Sequence, residues 1–453
     1  MELYNLEDFD ALVEKLQTLL AEKKYTVLKQ ALEKLNEADI AELFEEMDEK
    51  EIPVLYRLLG KEEAADTFAR MSHELQVNLI NALTDIELRQ VMDDIYLDDT
   101  VDMIEEMPAN VVSRVLHNTD AETRKLINEI LNYPKDSAGS IMTVEYVNIK
   151  KFMTVKEAIA RIRKTAVDKE TIYTCYVTEN RKLIGIITVK DLLIAEDDQK
   201  IEDIMETNMI SVTTHDDKEK VAKMFHRYDF LAIPVVDNEN RLVGIVTFDD
   251  AIDVLQDENT EDITKMAAMM PAEDTYFRTS VFSHAKHRIV WLLVLMLSAT
   301  ITGTIISKYE HAFATIPLLV SFIPMLMDTG GNCGSQSSTL VIRGIALDEI
   351  RFRDLFKVVF KEFRIAMVVG VVLSVVNGLR ILIFYKNAAM AMVVALSLMV
   401  TIVVAKMIGC ALPLLAKKVH MDPAVMAAPL ITTIVDTCSI LVYFNIATVF
   451  FNI

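Results

Sequence analysis

The chain has 453 residues, enough for about three domains on ordinary size statistics, and carries 46 Lys and Arg against 67 Asp and Glu for a formal net charge of −21. The charge is unevenly placed: residues 1–288 hold 34 bases and 59 acids, whereas residues 289–453 hold 12 and 8. The front part therefore repels nucleic acid and attracts cations, divalent metal ions above all, although bulk charge alone equally fits an acidic surface that serves solubility.

Four cysteines, Cys175, Cys333, Cys410 and Cys438, lie far apart with no CxxC or His-rich spacing. They predict neither disulfides nor a soft-metal site. Gly60 and Lys61 precede Glu62 without the glycine spacing of a P-loop, so no nucleotide-driven motor is expected.

The first ten residues are acidic and no apolar core follows a basic start. No signal peptide is expected, and the front half is expected to stay in the cytosol. From Leu12 to about Asn132 apolar residues recur at three- and four-residue steps, as in Ile40, Leu43, Phe44 and Met47. That period predicts helices with acidic outer faces. The segments beginning at Leu35 and Met71 each open a helix with a capping residue and an acid in the first turn. An N-terminal helical superhelix of paired helices is expected over 1–132.

Tyr133 to Gly139 breaks the helical period, and a duplicated unit follows over 133–255. Leu183 to Asp191 (LIGIITVKD) matches Leu242 to Asp250 (LVGIVTFDD), each preceded by a polar hairpin turn, at 178–181 and 237–240. The pattern resembles a CBS-domain pair, with a Gly, Thr, Asp signature at Gly185, Thr188 and Asp191 and again at Gly244, Thr247 and Asp250. The resemblance implies an α/β pair in which Thr188, Asp191 and Thr247 can hold the phosphate and ribose of an adenine nucleotide such as ATP. A dimerisation module without nucleotide stands beside that reading.

Asp249 to Asp262 holds seven acids and no base. On a helix Asp250, Asp253, Asp257 and Glu261 form one stripe, opposite Ile252, Leu255, Ile263 and Met266. Like charges four residues apart each destabilise an isolated helix by about 0.2 to 0.5 kcal/mol. A bound dication relieves that repulsion, so metal sensing is the preferred reading of this acidic connecting (plug) helix, placed at 256–287 and leading through Pro271 to the membrane.

Five apolar segments follow, at about 288–307, 312–328, 363–385, 388–416 and 428–451. Most reach the roughly 20 residues a membrane span needs, so an all-α transmembrane domain of five helices is expected over 288–453. Arg343, Arg351, Arg353, Lys357, Lys361 and Arg364 crowd one connection, and Lys417 and Lys418 another. Both are expected in the cytosol, which puts the N-terminus inside and the C-terminus outside.

The second segment is expected to be short and to end in a run of glycines, amides and hydroxyls from Asp328 to Thr339, whose exposed backbone lines an ion route. In the last helix Asp436 is a lone carboxylate, on one stripe with Thr432 and Ser439 that begins one turn after the backbone-freeing Pro429. Placing such an acid mid-membrane costs about 2.5 to 3.5 kcal/mol, so it is expected to face a pore. Two copies across a homodimer axis would present a carboxylate pair suited to hydrated Mg2+, which binds oxygen at about 2.0 to 2.1 Å and gives up water reluctantly.

The order of acidic helical domain, CBS pair, acidic connecting helix and five membrane helices resembles the MgtE family of magnesium channels over nearly the whole chain. Specific elements are Gly330 to Gln336 (GGNCGSQ), Asp422-Pro423-Ala424, and Pro429 to Asp436. The resemblance implies a homodimer in the lipid bilayer with Asp436, Asn332 and Thr432 at the pore, and no enzymatic activity. It places regulatory Mg2+ at Asp98 and Asp102, at Asp217, Glu219 and Asp229, at Asp250, Asp253, Glu258, Glu261 and Asp262, and at Asp422, with a backbone carbonyl from Gly139. All eleven side-chain positions are acids here. Ala428, where some members carry an amide, is a departure. Two rivals remain: a nucleotide-gated channel for another ion, and a membrane-tethered metal hydrolase, for which no catalytic motif is present.

Overall fold

Short-range capping chemistry punctuates the front of the chain. The computed structural model describes residues 6–270, 276, 279–426 and 428–452, and separates into two units, Met1–Leu255 and Gln256–Ile453. Ten helices, α1 (Leu6–Ala21) to α10 (Ala121–Ile130), follow one another through tight turns. Asn36 accepts from the Ala38 amide (3.0 Å), and Thr84 and Glu87 cap one another's backbone. Such caps satisfy amides that the first helical turn leaves without partners. Ser72 occupies the expected cap position, with its amide donating to Glu45 (3.1 Å).

The duplicated unit appears as two three-stranded sheets of identical topology. In the first, β1 (Asn148–Lys150) runs parallel to β2 (Thr174–Glu179), which pairs antiparallel with β3 (Lys182–Thr188). Helix α11 (Val155–Thr165) joins β1 to β2, and α12 (Val189–Ile194) and α13 (Ile201–Ile204) follow β3. In the second, β4 (Val212–Thr213), α14 (Lys218–Tyr228), β5 (Ala232–Val236) and β6 (Leu242–Thr247) repeat the order. Even the register irregularity recurs, at Val177/Thr178 and Val235/Val236. The first hairpin turns tightly at Asn180 and Arg181, both at positive φ, while Thr178 and Glu179 belong to the strand.

The signature glycines serve close approach. A Cβ on Gly185 would meet Met205 and the Glu206 carbonyl, and one on Gly244 would meet Met142 and the Thr143 carbonyl. Each sheet thus has a segment laid across its glycine. Tyr176, Leu183, Ala232, Val236, Leu242 and Ile245 form a shared apolar seam between the sheets. A larger core runs from the helical stack (Leu28, Phe44, Phe68, Val115) into the second α/β unit (Val212, Phe225, Val246).

Helix α15 (Phe248–Met266) extends from β6. Its head buries Ala251 and Val254, while Ile252 and Ile263, on the stripe opposite the acids, are 44% and 67% exposed. At that head Asp249 and Asp250 turn toward other acids rather than to open solvent. The turn expected at Pro271 lies outside the described residues.

The second unit contains α16 (Val281–Lys308), the short α17 (Glu310–Thr315), α18 (Ile323–Ala346), α19 (Leu355–Tyr385), α20 (Ala388–Lys418) and α21 (Ala428–Phe451). Among the described residues four stretches are long and apolar enough to cross a membrane: Val281–Lys308, Phe352–Tyr385, Ala388–Lys418 and Pro423–Phe451. The fifth, α18, overturns the expectation of a short segment ending in exposed backbone. It is a continuous 24-residue helix through Asp328 to Thr339, about 36 Å long at 1.5 Å per residue.

The reason is packing. A Cβ on Gly330 would meet Ser439 and Thr401, one on Gly334 would meet Ile431 and Val435, and one on Gly409 would collide with the Gly334 carbonyl. Small residues let membrane helices approach closely, so glycines that read as breakers are the contact surface of α18 with α20 and α21.

Candidate functional site

Three places gather the residues singled out in the sequence. The first is an acidic cluster in the first unit. Helix α8 (Leu97–Glu106) carries Asp98, Asp99 and Asp102, and the head of α15 brings Asp249 and Asp250 beside them, with Glu170 from the first α/β unit. Asp98 is only 6% exposed, and burial followed by the Asp250 charge pushes its carboxyl well above the usual range.

Burial holds Asp250 up at about 7, partly offset by hydrogen bonding to Thr247 and reinforced by Asp249. Desolvation raises Glu170 to about 8, with Asp249 and Asp99 adding to it. Asp102 rises to about 7 and Asp99 to about 6, first by partial burial and then by the charges of Asp250 and Asp249 respectively. Both keep exposed outer surface, where water screens them, so Asp98 is the carboxylate whose ionisation the fold opposes most.

Hard oxygen donors facing one another are the donor set of Mg2+ or Ca2+. Asp98, Asp102 and Asp250 are thereby brought together, and Asp253 adds to the field at Asp99. Asp99, Asp249 and Glu170 were missed. The first two adjoin predicted acids, whereas Glu170 gave no local signal. Among the described residues no three His, Cys, Asp or Glu side chains form a direct metal cage.

Other predicted positions have local partners. Asp217 caps α14 by accepting from the Lys220 amide (3.0 Å), Glu219 pairs with Lys223, and Asp229 ends α14 in the left-handed region (φ 53°). Gly139 donates its amide to the Thr214 carbonyl (3.0 Å), and a Cβ there would strike the Tyr133 ring. Glu258 and Asp262 lie further along α15, half-buried.

In the second unit Glu261 and Asp422 are joined by a lysine: Lys265 Nζ lies 2.6 Å from Glu261 Oε1 and 2.7 Å from Asp422 Oδ2. Asp422 Oδ1 also accepts from the Ala424 amide (2.8 Å). Two acids predicted to share regulatory metal thus share an ammonium.

The second place is the pair of Gly, Thr, Asp signature sites in the two α/β units. Thr188 caps α12 and donates its hydroxyl to Asp191, which is solvent-exposed. Thr247 is 4% exposed and its hydroxyl is engaged by Asp249 and Asp250. The first signature is open to solvent, and the second is absorbed into the acidic cluster.

The third place is on α21. Asp436 is half-buried, and its Oδ1 would lie 3.8 Å from a Cβ built on Gly331, beside which Thr432 also packs. Asn332, the next residue of α18, is exposed. Asp328 is close enough to Asp436 for their charges to interact. Asp328, Asn332 and Gln336 form an exposed polar stripe one turn apart on α18.

Two expectations are corrected. Pro429 stands in the first turn of α21, where its missing amide leaves no carbonyl of that helix without a donor, and its own carbonyl accepts from the Thr432 and Thr433 hydroxyls (2.9 Å each). Ser439 is buried against Gly330 with its hydroxyl donated to Val435 O (2.7 Å), which removes it from the open face shared by Thr432 and Asp436. The side chain of Ala428 lies outside the described residues.

The family described as divalent cation transporter, MgtE, matches residues 323–446; the MgtE intracellular N domain matches 35–136; and CBS domains match 138–198 and 201–257. A Bacillus subtilis protein named magnesium transporter MgtE is 36% identical over 445 residues, 98% of either chain. The chain belongs to the MgtE family.

A Thermus thermophilus MgtE is 33% identical over 95% of this chain and 97% of its own. Among solved structures, the cytosolic domain of the Mg2+ channel MgtE in complex with ATP matches 53% of this chain and 99% of its own, at 35% identity and TM-score 0.51. The soluble part of a magnesium transporter matches 55% and 99%, at 32% identity and TM-score 0.52. Within the MgtE matches, Asn332, Thr432 and Asp436 fall in the divalent cation transporter segment and Asp98 and Asp102 in the N domain.

Proposed function

We propose that this protein is a Mg2+ channel of the cytoplasmic membrane that admits Mg2+ and is shut when cytosolic Mg2+ occupies its acidic helices. Asp436 carries the reading: a carboxylate in an apolar and hydroxyl-bearing membrane helix, set against the glycine-thinned face of α18. An ionised Asp436 repels anions, which disfavours a CBS-regulated channel for chloride. An inside-negative potential contributes about 2.3 kcal/mol per charge per 100 mV, twice that for a dication, so influx needs no motor and no catalytic site.

Asn332 and Thr432 complete the proposed route, holding water around the ion. The exposed polar stripe of α18 supports a homodimer, since amides and carboxylates at membrane depth require water or protein beside them. The basic connections between Arg343 and Arg364 and at Lys417 and Lys418 support a cytosolic N-terminus and an outside C-terminus. The working domains are 1–132, 133–255, 256–287 and 288–453.

For closure, Asp98, Asp102, Asp250 and Asp253 form one proposed sensor, with Asp217, Glu219, Asp229 and Gly139 belonging to the CBS side of the machinery. Glu258, Glu261, Asp262 and Asp422 serve the connecting helix and membrane mouth. Repulsion within the buried acids supports the sensor, because a divalent cation removes it.

ATP is proposed at Thr188 and Asp191, the open signature. Isothermal titration of the full chain is expected to show ATP binding that Asp191→Ala weakens at least tenfold; equal binding by both proteins removes the site. The channel is tested by Mg2+ uptake into vesicles. Asp436→Asn is expected to lower uptake at least a hundredfold at equal amounts of folded protein, and uptake at the parent rate overturns the pore assignment.

A further inference from the structure

A charged triad lies buried in the membrane unit away from Asp436. Lys406 of α20 and Glu362 of α19 have side chains 6% and 9% exposed, with Nζ and Oε2 3.6 Å apart. Ser337 of α18 stands between them: its hydroxyl donates to Glu362 Oε2 (2.7 Å) and accepts from Lys406 Nζ (3.1 Å). Three helices thus meet in one hydrogen-bonded knot, and Ser337 is fully buried.

Bulk stability does not account for such a triad. Desolvating two charges offsets most of their attraction, and apolar replacements of buried pairs are often neutral or stabilising. Intramembrane charges that persist usually have a functional task. The neighbouring packing supplies one. Helix α18 meets α20 and α21 closely at Gly330, Gly331 and Gly334, and its buried Leu326, Cys333 and Val341 add apolar packing, which is not directional. A hydrogen bond from Ser337 to a fixed charge pair supplies direction where the glycines supply only closeness.

Ser337 follows Gln336 directly and lies five residues after Asn332, so its rotation fixes where the exposed stripe of Asp328, Asn332 and Gln336 points. Ser338 adds a second tie, donating to Met426 O (2.9 Å) just before α21.

We infer that Ser337, Glu362 and Lys406 form a polar lock that sets the rotation of α18 and so positions the face it turns toward the ion route. These are positioning residues, and the inference rests on the Mg2+ channel reading. The lock acts on ion recognition: loosening it changes the half-saturating ion concentration and the preference between ions, beyond the yield of folded protein.

The test uses full-length protein in vesicles, with Mg2+ and Ca2+ uptake measured over a concentration range. Ser337→Ala removes the tether and leaves the pair; the double variant E362Q/K406M removes both charges at similar volume. Each is expected to raise the half-saturating Mg2+ concentration about three- to tenfold, the scale of one lost hydrogen bond, and to lower the Mg2+ to Ca2+ uptake ratio. Parent half-saturation and parent ratio in Ser337→Ala overturn the lock, as does a loss confined to maximum uptake in proportion to folded protein. If the double variant does not fold, Ser337→Ala decides alone. Asp436→Asn run beside them separates the two ideas. Normal uptake by that variant overturns the channel reading and the lock's role with it, whereas its loss together with an unchanged Ser337→Ala overturns the lock alone.

Discussion

At the scale of single residues, Lys265 carries the clearest consequence. Its ammonium joins Glu261 and Asp422, two acids proposed to hold regulatory Mg2+, so a tethered cation competes with a free one. Replacing Lys265 by Met leaves both carboxylates without that partner. Half-maximal closure by cytosolic Mg2+ is expected at about two- to fivefold lower concentration, the scale of one or two partly exposed ion pairs. Flux recorded against cytosolic-side Mg2+ measures it, and an unchanged midpoint assigns Lys265 a packing role alone. The signature residues show how one local code diverges: Thr188 and Thr247 are equivalent in sequence, yet the second is buried beside the acids of α8 and the first is half-buried next to a solvent-exposed Asp191.

At the scale of elements, the contact of α8 with the head of α15 predicts a pH dependence. Asp98, Asp250 and Glu170 have carboxyl groups raised by the fold, the latter two to about 7 and about 8. The folded arrangement therefore binds more protons than the separated helices. Its stability is greatest near pH 4 and is lost as pH rises through roughly 6 to 8. In Mg2+-free solution, proteolytic protection of the helical stack is expected to increase as pH falls from 8 to 5.5. The added protection from millimolar Mg2+ should shrink over the same range. Protection that is flat with pH would mean that these acids do not govern the contact.

Elements differ in how far their sequences announce them. Helices α1 to α10 and both α/β units were legible because caps, apolar period and hairpin turns act within a few residues. Helix α18 was misread because glycine, serine and threonine are common to loops and to tightly packed membrane helices. What separates the two is a partner such as Gly409 or Val435, distant along the chain. The exposure of Ile252 and Ile263 was not legible for a related reason: a helical wheel gives two faces and does not say which one another helix covers.

At the scale of the whole molecule, composition was enough to place an acidic part before an apolar one, and the resemblance to the MgtE family, carried by domain order and by elements such as Gly330 to Gln336, is borne out by relatives that match nearly the whole chain. The carboxylate of α21 was legible because a charge in an apolar helix stands out without any knowledge of its neighbours. By contrast, Asp99, Asp249 and Glu170 acquire significance only through the field they share with Asp98 and Asp250, and the triad of Ser337, Glu362 and Lys406 only through the meeting of three helices. Sequence alone determined what is written in short-range terms: period, caps, turns, hydropathy and charge. Tertiary structure decided which acids face one another, which hydroxyls stay open and how α18 is turned, because burial and electrostatic coupling depend on distances between residues far apart in the chain.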